Sequence, residues 1–387
     1  MHIFMVAARF LPFVGGIETH MHEVGTRFAA LGHAVAVLTT DPSGKLPIEE
    51  NVSGMRVKRV RAWPRERDYY FAPGIYSEIC RSTCDIIHFQ GYNTFVAPIG
   101  MIAAIRRNVP FVLTFHSGGH SSPLRNAIRG LQQTVLSPLV GRASQLIGVS
   151  EYEAATFSRN MRLDRRRFTV VPNGAALPPP SGGAVRTDGH LVVSLGRLER
   201  YKGHQRVIAA FPELIRRVPD ARLKIIGSGP YEPALRRLIG ELDLDRCVTI
   251  ESVPSAERQR LSDLLSATKL VVLLSEYEAH PVAIMEALSL GRRVLVSDTS
   301  GLRELAQKGL CRSIPANLEP GMVAQAIAEE LESRHAPPDF ILPNWDDCAR
   351  QLLGIYEAVL DRTGQIHRPP AGSETLAAGA SSRTSDR

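Results

Sequence analysis

The run SEYEAHPVAIMEALSLG, from Ser275 to Gly291, carries two carboxylates, Glu278 and Glu286, with seven residues between them. The apolar stretch Leu270–Leu274 precedes it, and Pro281 suits the first position of a new helix, where a missing N–H costs nothing. The loop between strand and helix then lies at the carboxyl edge of a sheet, where open α/β folds bind ligands. The free amides of Val282 and Ala283 would point into that crevice, as a phosphate requires. Glu286, five residues into the helix, stands about 8 Å along its axis at roughly 1.5 Å per residue. That is the reach from a bound phosphate to its ribose, so this carboxylate could accept from both ribose hydroxyls. Glu278, in the loop, is placed for a sugar on the other side of a diphosphate. Taken alone, the two could equally be a loop carboxylate and a helix-surface charge. Glu276 is out of register and reads as a solvated neighbour.

Two further groups point to the same ligand. GRLERYKG, Gly196 to Gly203, follows the apolar run Leu191–Leu195 and sets Arg197 and Lys202 at the carboxyl edge of the same sheet, two cations that match a diphosphate. Near the N-terminus Gly15-Gly16 follows the first apolar run and opens an amphipathic stretch, so that backbone without side chains can approach a ligand at Gly16, although a tight turn explains the pair equally well. Other candidates carry less. Asp243-Leu244-Asp245 resembles a metal-binding DxD but falls between a helical stretch, Tyr231–Leu242, and the strand Val248–Ile250. Gly227-Ser228-Gly229 lacks the third glycine of a dinucleotide fingerprint. Asp346-Asp347 reads as the cap of a late helix. His20, His88 and His120 have no metal-ligand partners at the usual spacing and are read as structural. The basic runs Arg65-Glu66-Arg67, Arg106-Arg107 and Arg165-Arg166-Arg167 are either solvated faces or an acceptor or membrane surface.

These residues need elements to hold them. Short Val/Ile/Leu/Phe-rich runs alternate with amphipathic stretches, the pattern of parallel strands joined by crossover helices. Strands are expected at Ile3–Ala8, Val35–Thr39, Met55–Val60, Asp85–Phe89, Phe111–Phe115, Leu146–Val149 and Phe168–Val171. A second series is expected at Leu191–Leu195, Leu223–Ile226, Val248–Ile250, Leu270–Leu274 and Val294–Val296. Met21, Val24, Phe28 and Leu31 share one face of a first crossover helix, Ile17–Leu31. The reading is α/β, with two Rossmann-like doubly wound domains facing a central cleft: residues 1–174, a Pro/Gly-rich linker at 175–189, and residues 190–343. Trp345, Leu352, Leu353, Tyr356 and Val359 mark a C-terminal helix at 344–362 that crosses back to the first domain. The tail 363–387 has a disordered composition.

A chain of 387 residues, 44% hydrophobic and 22% charged, is long enough for two cores. The N-terminal apolar run lacks a basic region and a cleavage site, so no secretory signal is expected. No run reaches the roughly 20 apolar residues that span a bilayer. The five cysteines are scattered and read as reduced, which implies a cytoplasmic protein, at most peripheral at the cytoplasmic face of the membrane. The net charge of +7 is uneven: residues 1–187 carry 21 Lys and Arg against 12 Asp and Glu, while residues 188–387 carry 25 against 27. An acidic partner, such as an anionic membrane surface, would therefore meet the first half. No stacking-aromatic motif accompanies the charge, so nucleic acid is not an expected partner.

GGIETH at Gly15–His20, TFH at Thr114–His116, VPNG at Val171–Gly174, GRLERYKG, IIGSGP at Ile225–Pro230 and the E-x7-E run resemble, in this order, the signposts of retaining GT-B glycosyltransferases of family 4 (glycosyl transferases group 1), over about residues 1–360. The resemblance implies a hexosyltransferase that moves a sugar from a UDP- or GDP-sugar to a hydroxyl of a glycan or lipid-linked acceptor. No cofactor is implied, because the nucleotide-sugar is a substrate, and no metal. Arg197 and Lys202 would neutralise the diphosphate, Glu286 would hold the ribose, and Glu278 with the amides after it would hold the transferred sugar. Gly16 would approach the phosphate from the opposite domain, and His116 would line the sugar and acceptor side, making Glu278 and His116 the catalytic candidates. The family often has Glu-Gly-Phe-Gly where this chain has Glu278-Ala279-His280-Pro281. Proline has no N–H to give, so the His280 ring is the expected substitute. A sugar-nucleotide epimerase of the same architecture and a non-catalytic binding subunit are the alternative readings.

Overall fold

The first strand, HIFMV, is apolar on both faces: Ile3 and Met5 point into one buried cluster, Phe4 and Val6 into another. A strand covered on both sides belongs in the middle of a parallel sheet. The computed structural model, which describes residues 1–13, 15–64, 70–116, 123–182, 189–254, 257–333 and 342–364 and omits the side chains of 123–128, places it there. The first sheet comprises β1 (His2–Val6), β2 (Ala34–Asp41), β3 (Glu49–Val52), β4 (Met55–Arg61), β5 (Ile86–Gln90), β6 (Phe111–Thr114), β7 (Gln145–Gly148) and β8 (Phe168–Val170), in the spatial order β3-β4-β2-β1-β5-β6-β7-β8. Its helices are α1 (Gly16–Ala30), α2 (Gly74–Arg81), α3 (Val96–Arg107), α4 (Pro123–Val140) and α5 (Glu151–Asn160).

The second sheet comprises β9 (His190–Leu195), β10 (Ala221–Ile226), β11 (Val248–Glu251), β12 (Leu270–Leu273), β13 (Arg293–Ser297) and β14 (Arg312–Ile314), ordered β11-β10-β9-β12-β13-β14 and parallel throughout. Its helices are α6 (His204–Arg217), α7 (Glu232–Glu241), α8 (Arg258–Ala267), α9 (Val282–Ser289), α10 (Ser300–Gln307) and α11 (Pro320–Glu332); α12 (Trp345–Thr363) follows. Strand order reverses between β1 and β5 in the first sheet and between β9 and β12 in the second, and such reversals open crevices at the carboxyl edge.

Two edge strands are absent from the sequence reading. β3 is the polar run EENV, paired antiparallel with β4, and β14 is the three-residue RSI. Both are too short and too polar to show the apolar pattern on which the reading rests, as edge strands usually are. Helix α12 runs through Thr363; the rest of the tail, like His120 and Arg65-Glu66-Arg67, lies outside the described residues. Asn344, rather than Asp346-Asp347, caps α12 by accepting from the Asp347 amide at 2.8 Å, while Asp346 receives Arg27 of α1 at 2.5 Å.

The chain passes between the domains twice, and the two passages touch. Ala175 N–H donates to the Pro343 carbonyl at 3.1 Å, and a Cβ on Gly174 would come within 2.3 Å of the Trp345 nitrogen, so only glycine fits. Trp345 and Tyr356 of α12 are fully buried against the first domain, with the Tyr356 ring edge-on to Phe28 and its hydroxyl 2.5 Å from His88 Nδ1. His88 Nε2 lies 2.7 Å from Thr114 Oγ1. His20 Nδ1 meets Asn173 Oδ1 at 3.0 Å, and Asn173 Nδ2 donates to the His280 carbonyl at 3.0 Å, joining α1 to the loop before α9 in the other domain.

His20 and His204 are buried, and burial pushes each ring down to about 4, outweighing the Asn173 bond in one case and the Arg197 carbonyl in the other. Both are neutral in the native state, whereas an unfolded histidine titrates near about 6.5. Above pH about 7 both rings are neutral in both states and contribute no pH dependence. As pH falls below about 6.5 the unfolded chain takes up protons that the native state refuses, so stability declines until pH about 4. The urea midpoint is expected to fall progressively from pH 7.5 to 5.5, with a shallower fall in His204→Gln; a midpoint constant over that window would contradict the assignment.

Candidate functional site

β9 and β12 are neighbours at the reversal of the second sheet, so the loops that leave their carboxyl ends, GRLERYKG and SEYEAHP, lie side by side. They are stitched together. Gly203 has φ 79°, and a Cβ there would stand 1.9 Å from the Leu274 carbonyl oxygen, so no other residue can sit at this join. The Glu276 amide donates to the Tyr201 carbonyl at 2.8 Å. The Glu278 loop is held from its other side by α10: the Glu278 amide donates to Ser300 Oγ at 2.8 Å, its carbonyl accepts from the Gly301 amide at 2.8 Å, and a Cβ on Gly301 would collide with the Ala279 carbonyl.

The Glu278 side chain is buried, and its Oε1 accepts from Lys202 Nζ at 2.6 Å and from Ser275 Oγ at 2.7 Å. Burial opposes the Lys202 charge, but Glu278 and Tyr201 more than offset it, and the ammonium pKa is raised. Lys202 is therefore the partner of Glu278 as well as a cation at the crevice. Arg197 makes one long contact, Nη2 to the Tyr201 hydroxyl at 3.4 Å, which leaves most of its planar donor array uncommitted among the described residues.

Pro281 is the cap of α9 and not its first residue; its carbonyl accepts from the Ile284 and Met285 amides. The amides of Val282 and Ala283 make no backbone hydrogen bond among the described residues, and the cap has no side-chain acceptor. Glu286 is the fifth residue of α9 and is almost fully buried. Desolvation raises its pKa against the opposing effect of Arg258, whose Nη2 donates to Glu286 Oε1 at 2.6 Å. Glu276 is half-exposed and pairs with Arg206 at 3.1 Å.

Across from these loops, Glu18 of α1 is close enough to Arg197 to favour its charge. The Gly15-Gly16 pair divides in meaning. A Cβ on Gly15 would meet the end of the Glu18 side chain, whereas on Gly16 it would meet nothing within 4 Å, so Gly16 is the one that faces open space. His116, just past β6, has φ 46°; its Nε2 lies 2.6 Å from Gln90 Oε1 and its ring is edge-on to His20 at 4.6 Å. Burial holds its pKa well below 6.5, so the ring is neutral. His280 Nδ1 is buried without a hydrogen-bond partner among the described residues, and burial lowers this ring to about 4, with Glu304 of α10 and Lys308 just past it the charges acting on it.

Asp245 precedes β11 and so lies at the amino edge of the sheet, opposite Glu278. It lines a separate pocket of about 350 Å³ with Arg236 and Thr249. The sequence gives no sign of Arg258, Ser275, Ser300 or the Asn173 side chain as site-building residues. Arg258, Ser300 and Asn173 act through contacts distant in the chain, which a single sequence does not encode as a local pattern, whereas Ser275 stands three residues from Glu278 in a loop whose turn brings the two together.

The family model for Glycosyltransferase Family 4 matches residues 14–177, and that for glycosyl transferases group 1 matches residues 182–341. The GDP-mannose:cellobiosyl-diphosphopolyprenol alpha-mannosyltransferase of Xanthomonas oryzae pv. oryzae is 27% identical over 352 residues, covering 88% of this chain and 89% of that one. The phosphatidyl-myo-inositol mannosyltransferase of Mycolicibacterium smegmatis is 27% identical over 384 residues, covering 93% and 94%. Among solved structures, sucrose-phosphate synthase from Thermosynechococcus elongatus superposes with a TM-score of 0.72 at 19% identity, covering 93% of this chain and 99% of that one. The Anabaena HepE protein in complex with UDP-glucose gives 0.69 at 17% identity, covering 95% and 100%. With two facing parallel-sheet domains, both family matches and the two carboxylates gathered at the strand reversal, the chain belongs to the GT-B glycosyltransferases of group 1.

Proposed function

We propose that the protein transfers a hexose from a UDP- or GDP-sugar to a hydroxyl of a glycan or lipid-linked acceptor, with retention of the anomeric configuration and without a metal. The observation that carries this reading is the convergence of Arg197, Lys202, the free α9 amides, Glu278 and Glu286 on the crevice between β9 and β12. The α9 amides and the Arg197 guanidinium take the diphosphate, as helix N-termini and planar cations do. Glu286 takes the ribose hydroxyls and Glu278 the hydroxyls of the sugar. Pro281 offers no amide, and the unpartnered Nδ1 of His280 is the available substitute. Gly16 lets the first turn of α1 approach the phosphate from the other domain. Neutral His116 lines the acceptor side. Its Nε2–H donates to Gln90, leaving Nδ1 to accept a proton-bearing group.

The reaction forms a bond from the acceptor oxygen to the anomeric carbon on the face from which the phosphate leaves, and the acceptor proton passes to the departing phosphate oxygen. Glu278, paired with Lys202 and accepting from Ser275, is a binding carboxylate in this scheme and not a nucleophile. The names of the relatives support the donor and acceptor classes: HepE was solved with UDP-glucose, and the two mannosyltransferases are named for a polyprenol-linked and a phosphatidylinositol acceptor. A lipid-linked acceptor also accords with the basic first half and with Leu131 and Val135 on α4, each 66% exposed; Leu124, Arg125 and Ile128 of the same stretch have side chains outside the described residues. Among the described residues no helix is long and apolar enough to cross a membrane, so contact with a bilayer would be peripheral.

Three outcomes are expected. Glu286→Ala weakens binding of the preferred nucleoside diphosphate far more than Glu276→Ala. Two charge-assisted hydrogen bonds at roughly 1.5–3 kcal/mol each amount to about 3–6 kcal/mol, or about a hundredfold to ten-thousandfold in affinity. Calorimetric titration of both variants checks this, and equal affinities would show the ribose carboxylate to be misassigned. Sugar transfer persists in EDTA, because in this scheme Arg197 and the α9 amides take the diphosphate without a metal; complete loss reversed by Mn²⁺ or Mg²⁺ would overturn the metal-free scheme. Vesicles with anionic lipid retain the protein at low salt and release it as ionic strength rises, screening lengths being about 8 Å at physiological salt; no retention at low salt would rule out the membrane contact.

A further inference from the structure

Helix α8 lies against the first part of the interdomain linker and is bonded to it along its length. Gln259 Nε2 donates to the Pro179 carbonyl at 2.9 Å, Ser262 Oγ to the Pro178 carbonyl at 2.5 Å, and the Ser181 amide and hydroxyl both donate to Asp263. Arg258, the first residue of α8, differs from these neighbours. Its Nη2 donates to the Ala176 carbonyl at 2.7 Å and also to Glu286 Oε1 at 2.6 Å, so one guanidinium spans the linker and α9.

We propose that Arg258 is a positioning residue of the donor site, aiming the Glu286 carboxylate at the nucleotide's ribose and fixing that carboxylate to the interdomain linker. This rests on the reading of Glu286 as the ribose carboxylate. The geometry supports it in three ways. A carboxylate that is almost fully buried needs a cation to stay ionised, and Arg258 is the cation that contacts Glu286. The other charge acting on Glu286 is Glu23 of α1, which is of the wrong sign and is itself paired with Arg27 at 2.7 Å. Among the described residues the bond occupies only Oε1, leaving the carboxylate's remaining lone pairs for the two ribose hydroxyls, and anchoring to a backbone carbonyl restricts the guanidinium to one direction of approach.

The consequence is that Arg258 controls the charge of Glu286 without touching the nucleotide. Without it, the carboxylate takes up a proton at higher pH and donor affinity becomes pH-dependent in the neutral range. UDP and GDP are each titrated calorimetrically into the full chain from pH 6 to 8.5, with melting curves to establish folding. Arg258→Ala is expected to bind the preferred nucleotide about tenfold to a hundredfold more weakly at pH 7, the equivalent of one charge-assisted hydrogen bond. It is expected to weaken further toward pH 6, where the wild type changes little. Arg258→Lys recovers part of the affinity and the flat pH profile, and Gln259→Ala, which loses bonds to the Pro179 carbonyl and to Asp263 but none to Glu286, binds as wild type. If Arg258→Ala does not fold, Arg258→Met keeps the packing of the stem and carries the same expectations. Wild-type affinity in Arg258→Ala, or a loss matched by Gln259→Ala with no pH dependence, would overturn the proposal. Glu286→Gln separates the two levels. If it binds nucleotide as wild type, the donor-site reading has failed; if it weakens binding while Arg258→Ala does not, only the role of Arg258 has failed.

Discussion

Two carboxylates, Glu278 and Glu286, are withdrawn from solvent, and each has a cation beside it at 2.6 Å, Lys202 for the first and Arg258 for the second. Removing a carboxylate from water costs several kcal/mol, offset only when a partner stands in good geometry. That requirement constrains the whole second domain. Lys202 must reach across from the loop after β9 to that after β12, so the two loops must touch, and Gly203 is the residue that lets them. The Glu278 backbone must not drift, and α10 holds it from behind through Ser300 and Gly301. The loops around these charges are thus tightly determined, while Arg197 and the first amides of α9 keep donors uncommitted among the described residues.

The same loop also meets the first domain. The His280 carbonyl accepts from Asn173, which meets His20 of α1, and His20 lies edge-on to both His116 and Trp345. Asn173 just past the last strand of the first sheet, helix α1, His116 and the start of the returning helix therefore converge on one place. The two chain passages at Gly174 and Asn344–Trp345 pack without space for a side chain. A relative movement of the domains would turn on these few residues, because the linker from Ala176 to Ser181 is bonded along α8 and belongs mechanically to the second domain.

Much of this was legible in the sequence, for definable reasons. The central strands are apolar on both faces and the crossover helices on one, so their positions follow from composition and period, as at His2–Val6 and Leu270–Leu273. The E-x7-E run and GRLERYKG were readable because each follows directly from a strand, and the spacing within them is local. Illegible were the polar edge strands at Glu49–Val52 and Arg312–Ile314, which lack an apolar signal. Also illegible were the cross-chain partners: Arg258 lies 28 residues from Glu286 and Lys202 lies 76 from Glu278. The second pairing changes the reading of Lys202, since a cation assigned from sequence to the diphosphate is shared with a carboxylate. Pro281 was one position off, as a cap and not a first helical residue, because the two roles suit proline's fixed φ equally well.

The central claim is that the crevice at the β9–β12 reversal is built for a nucleoside diphosphate. Thermal unfolding of the intact chain with UDP, GDP or ADP tests it most directly, since a ligand at about 100 times its dissociation constant adds roughly 2.7 kcal/mol of stability. UDP or GDP is expected to raise the melting temperature in a concentration-dependent manner. No shift with any of the three at millimolar concentration would contradict it.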